Sequence, residues 1–168
     1  MPNTSNKRIE IGSGNFPHAG YTHIDIEKKA GVDIKGDFRT MDFSELEEIR
    51  SHHLLEHFGR EEAIKILKLW HSWLKKDGVL LIEVPDFEEI CRRFPEDKYW
   101  LARHAYGSQE AEWAFHKDGW YEDKFREILP QIGFEITLLK KKTSKVIIKS
   151  PQKERHILPN ILVIAKKI

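Results

Sequence analysis

The chain has 168 residues, 40% of them hydrophobic and 33% charged, with a net charge of +1. That length suits one domain around one sizeable core, and no apolar run approaches the ~18 residues that span a bilayer, so no membrane partner is expected. The single cysteine, Cys91, excludes an internal disulfide and a cysteine-rich zinc site. Residues 1–8 lack the apolar stretch of a secretory leader, and with a free thiol this points to the cytoplasm. The charge is uneven: residues 140–168 hold nine Lys or Arg against one acid, a net +8, which leaves −7 on residues 1–139. The basic segment reads as a solvated hairpin or, more sharply, as a surface for an anionic partner such as RNA.

In chain order, residues 7–11 form a strand ending in Gly12-Ser13-Gly14. Residues 21–26 alternate apolar and polar as a second strand, and 32–38 supply a third. Ser44 with Glu47 has the spacing of a capping box and predicts a short helix. Residues 60–76 are the clearest helix, with Ala63, Leu67, Trp70 and Leu74 on one stripe and Asp77-Gly78 as its end. Residues 79–84 read as a strand covered on both faces, stopped by Pro85. Asp86 with Glu89 caps a second helix. Residues 94–119 are aromatic-rich and irregular, and a helix from Trp120 stops at Pro130. Strands at 134–139 and 161–165 close the chain. The order predicts an α/β fold, a Rossmann-like and mostly parallel sheet whose last strand or strands return antiparallel. Residues 1–168 are read as a single domain, with no room for a separate substrate domain.

Three constellations carry chemistry. A glycine turn after the first strand lets a ligand approach the backbone, and Asp25, near the end of the second strand, is placed to accept the hydroxyls of a ribose. The third glycine of a dinucleotide fingerprint is replaced by Pro17, which disfavours NAD. His53-Leu54-Leu55-Glu56-His57 matches the H-x-x-E-H pattern of inverted zinc peptidases. Gly59 follows too soon for that motif's helix, no downstream third ligand stands out, and no metal site is assigned. His116, in His116-Lys117-Asp118-Gly119-Trp120, lies in an aromatic stretch that suits an acceptor lid over the strand ends.

The ordered set I-E-I-G-S-G, G-Y-T-H-I-D, G-D-F-R-T-M-D-F, H-H-L-L-E-H, D-G-V-L-L-I-E-V-P-D, H-K-D-G-W and I-G-F spans nearly the whole chain. It resembles the class I S-adenosylmethionine-dependent methyltransferases, in particular their short bacterial branch. The resemblance implies methyl transfer from S-adenosylmethionine to an unidentified small-molecule or macromolecular acceptor. It implies that Glu10 and Gly12, Ser13 and Gly14 hold the methionine end. Asp25 then takes the ribose, with Ile26 against the adenine, and Asp37 with Phe38 meets the adenine edge. His53 is implied near the methyl group, and His53, His57 and His116 are the candidate catalytic residues. The chain departs from the pattern at Asn15-Phe16-Pro17 and in its very short first two crossovers. These departures motivate an alternative, a non-catalytic module of the same fold working through its basic C-terminal region. A zinc hydrolase using His53 and His57 is the third reading.

Overall fold

The computed structural model describes residues 6–15, 17–147 and 155–168. The N-terminal five residues, Phe16, and the basic positions Lys149 and Lys153 lie outside the described residues. Seven strands form one sheet: β1 (Arg8–Ile11), β2 (Thr22–Asp25), β3 (Ile34–Lys35), β4 (Leu46–His52), β5 (Leu74–Pro85), β6 (Phe134–Ile147) and β7 (Arg155–Lys167). Their spatial order is β3-β2-β1-β4-β5-β7-β6, with the first five parallel and β7 antiparallel to both neighbours. The helices are α1 (Arg60–Trp73), α2 (Phe87–Arg93), α3 (Lys98–Tyr106) and α4 (Glu122–Ile132). Among the described residues, no helix is long and apolar enough to cross a membrane.

Alternation along the strands gives the sheet two unlike faces. Ile9, Ile11, Ile24, Ile49, Leu80, Ile82, Val84, Ile161 and Val163 point one way and are buried. They pack against Leu67, Trp70 and Trp73 of α1 and Phe125 and Leu129 of α4. The other face is polar over β1, β2 and β4, where register sets opposite charges side by side. Arg8 Nη2 lies 2.7 Å from Glu48, and Arg50 Nε lies 3.0 Å from Glu10. Among the described residues, no helix lies between β1 and β2 or between β2 and β3. The loop after β1 covers Glu10 instead, and the His18 amide donates to its carboxylate at 2.8 Å. At the far end of this face α2 and α3 make a small separate cluster of Ile90, Leu101 and Leu158.

The structure corrects four local expectations. The Ser44–Glu47 capping box opens no helix; residues 46–52 are β4, because Ile49 and Ser51 alternate inward between β1 and β5 and that pairing overrides the local signal. Helix α1 ends at Trp73 rather than at Lys76, and the chain turns through Asp77 at φ 64° within the span of β5. Residues 94–119 are not irregular throughout: Asp97 accepts from the Trp100 amide at 3.4 Å and caps α3. Helix α4 passes Pro130 to Ile132, since one missing amide is tolerated in a last turn closed by Gly133.

Candidate functional site

The chain reverses its direction of sheet growth between β1 and β4, and the loops that leave these two strands part above that seam. A cavity of about 460 Å³ opens there. Gly12 takes φ 70° so that its amide can donate to Ile24 O at 2.8 Å, and a Cβ on it would press on Leu54 at 3.1 Å. Glu10, Gly12, Ser13, Gly14, Asp25, Ile26, Asp37, Phe38 and His53 all line this one cavity, and so does His57. His116 is not part of the lining; it stands behind His57, with the two rings 4.7 Å apart and edge-on.

Each acid on the cavity wall is differently engaged. Asp25 is buried; its Oδ2 accepts the Gly14 amide and its Oδ1 the Glu27 amide, both at 2.9 Å. Each carboxylate oxygen keeps a further lone pair for a diol. Asp37 is clamped by Arg39, whose Nη2 lies 2.7 Å from Oδ2, and this hydrogen bond holds the carboxyl below its ordinary range. Arg39 is tied in turn to Glu62. Glu10 is shared by Arg50, His18 and His23, so it braces the loop above it.

At the other end His53 sits at φ 51° just past β4, and its amide donates to Glu83 O at 2.8 Å. Its Nδ1 lies 3.1 Å from Glu56, whose side chain is 2% exposed. Burial alone would lower the His53 imidazole; the hydrogen bond and charge of Glu56 outweigh it and raise it. Burial likewise works to raise Glu56, and the surrounding imidazoles hold it below its ordinary value. Burial pushes His116 down. Residues 55–57 form a single 3-10 turn, so His53 and His57 do not share a helical face and the zinc-peptidase arrangement is not formed.

Part of the aromatic stretch expected to serve as a lid borders the cavity. Gly107 and Phe115 bridge, and the Lys117 amide donates to Glu56 O at 2.8 Å. Trp113 reaches the cavity with Lys29 5.3 Å from its ring. Arg39, Arg50, His18 and Lys117 were missed; only cross-strand register reveals Arg50, because its partner Glu10 is distant in sequence. Several cations of the basic hairpin pair with acids of the same chain: Lys142 lies 2.7 Å from the buried Glu83, and at the surface Lys141 lies 3.1 Å from Glu88 and Lys166 2.8 Å from Asp77. Lys167 donates to the carbonyls of His71 and Leu74.

No family model and no curated protein matches this sequence. Solved structures do match. A SAM-dependent methyltransferase from Anabaena variabilis is 12% identical with a TM-score of 0.62, covering 96% of this chain and 76% of that one. One from Methanosarcina mazei is 14% identical with a TM-score of 0.62, covering 96% and 92%. The 1,6-didemethyltoxoflavin-N1-methyltransferase of Burkholderia thailandensis, solved with its acceptor and S-adenosylhomocysteine, is 13% identical with a TM-score of 0.59, covering 95% and 70%. The chain therefore has the fold of the class I S-adenosylmethionine-dependent methyltransferases, with the antiparallel β7 inserted between β5 and β6.

Proposed function

We propose that this protein binds S-adenosylmethionine in the cavity above the β1–β4 seam and transfers its methyl group to an acceptor entering beside His57. One observation carries this reading: every residue that the resemblance assigns to the cofactor lines the same cavity. Two further features fit the cofactor. Ser13 Oγ is buried there without a hydrogen-bond partner, and a Cβ on Gly14 would meet nothing within 4 Å, which leaves room for a ligand against the backbone. The bound cofactor supplies a methyl group on a good leaving group, so the protein must mainly align the acceptor and exclude water. Asp25 takes the ribose hydroxyls, Ile26 and Phe38 flank the base, and the Gly12–Gly14 turn cradles the methionine end. Arg39 already holds Asp37, so Asp37 serves the adenine edge through the position of the Phe38 amide. His53, held toward its charged form by Glu56, is a positioning group rather than a base. The exposed thiol of Cys91 suits a reducing cytoplasm.

Calorimetry with S-adenosylmethionine and S-adenosylhomocysteine tests this. We expect one site, and at least a tenfold loss of affinity in Asp25→Ala. No heat at high micromolar protein, or undiminished binding in that variant, overturns the reading.

A further inference from the structure

Behind the cavity, two segments far apart in the sequence converge on one buried carboxylate. Glu56 Oε2 is buried and has no hydrogen-bond partner, while Oε1 is held by His53 Nδ1 at 3.1 Å. An ionised oxygen in that state is costly to bury without a cation. His57 Nδ1 lies 3.1 Å from Phe115 O, and a carbonyl only accepts, so Nδ1 carries the proton and Nε2 presents its lone pair. His116 Nε2 lies 3.9 Å from Glu56 Oε1, and its side chain is 10% exposed. Donor atoms of Glu56, His57 and His116 lie within 4.8 Å of one another. A metal with bonds of about 2.0–2.2 Å holds three ligands about 3.3–3.8 Å from one another, so side-chain movements of about 1 Å close the set.

The backbone already holds these groups together. The Lys117 amide donates to Glu56 O at 2.8 Å on one side of His116, and the His116 amide donates to Tyr106 O at 3.0 Å. The ring of His57 is pinned to the carbonyl of the residue just before His116. His53 acts one layer out, fixing Glu56 so that its second oxygen is free. A neighbouring group, His52, His53 and Glu83, is a weaker set: Lys142 neutralises Glu83 at 2.7 Å, and the His52 side chain is 44% exposed.

We infer that Glu56, His57 and His116 form a binding site for a divalent first-row transition ion. Two imidazoles and one carboxylate select such ions over magnesium or calcium, and three protein ligands leave coordination positions open. His57 also lines the cavity, so an open position lies on that side. In the methyl-transfer reading, on which this last role rests, an oxygen of the acceptor binds there and is positioned for the methyl group.

Cobalt(II) is the probe. Protein stripped with a chelator is titrated with Co²⁺ and followed by visible absorption. One equivalent should give d–d bands of a nitrogen- and oxygen-ligated ion, and competing Zn²⁺ should bleach them. Glu56→Gln and His116→Ala should each weaken Co²⁺ binding at least tenfold, while His52→Ala keeps it. Circular dichroism checks that each variant is folded, and the wild-type titration stands even where one is not. No saturable band in the wild type overturns the site. So does wild-type affinity in folded Glu56→Gln and His116→Ala, or loss of the band in His52→Ala alone. S-adenosylhomocysteine binding to the metal-free protein is read separately, so failure of the metal site and failure of the cofactor site are distinguishable.

Discussion

His104 Nε2 lies 2.9 Å from both Pro159 O and Asn160 Oδ1, and the side chain is buried. Burial lowers this imidazole to about 4. The unfolded chain takes up the same proton near pH 6.5. Between those values the unfolded state binds more protons, so stability is full above about pH 6.5 and falls as pH drops toward 4, by on the order of 3 kcal/mol in total. Urea midpoints at pH 7 and 4.5 should therefore differ, and His104→Gln should flatten the difference. Glu56 and Glu83 are both held below their ordinary range despite burial. Their contribution is present above the unfolded carboxylate pKa and is lost only below about pH 4.3, outside that comparison. The cavity residues were legible at this scale because each sits in a short motif at a strand end. Glu56 was legible only as a member of a helical motif that does not form; its environment depends on His116, 60 residues away and on another loop.

Among the elements, the two capping-box spacings show where local reading succeeds and where it fails. Asp86 does accept the Glu89 amide, at 3.2 Å, and opens α2. Ser44 and Glu47 have the same spacing, yet residues 46–52 have a slot between β1 and β5 that rewards alternation. The mostly parallel sheet with antiparallel last strands was readable from the alternation of strands and helices, and the shortened early crossovers were readable from loop length. The internal structure of the aromatic stretch was not, because α3 and the Gly107–Phe115 bridge depend on contacts made across the fold. That bridge is the weak point of the lid. Gly107 has φ 83°, and a Cβ there would lie 2.1 Å from Ala114 O. Gly107→Ala should therefore displace residues 108–117. Hydrogen exchange should show faster amides there with α1 and β5 unchanged, and Co²⁺ affinity should fall while the cofactor site loses less.

For the molecule as a whole, the unlike faces of the sheet set where substitutions matter. Ile82 is 1% exposed under α1 and α4, whereas Leu81, its neighbour, points to the face without crossover helices and is half-buried. Ile82→Ala should cost about 3 kcal/mol. Leu81→Thr should cost less than about 1 kcal/mol, since a surface-facing position leaves no cavity behind. Denaturant midpoints of the two variants check this contrast. The strand order also has a mechanical consequence. Within the sheet, the β3-β2-β1 half meets the β4-β5-β7-β6 half at the ladder between β1 and β4. Four residues of β1 carry that joint, and their partners lie 40 residues onward, as Arg8 and Glu48 show. During synthesis β1 must wait, unclosed, until β4 has been made. Once closed, the joint runs directly beneath the cavity, so a ligand touching Gly12 on one bank and His53 on the other acts as a clasp. Saturating ligand should therefore slow amide exchange most in Ile9–Ile11 and Ile49–Ser51.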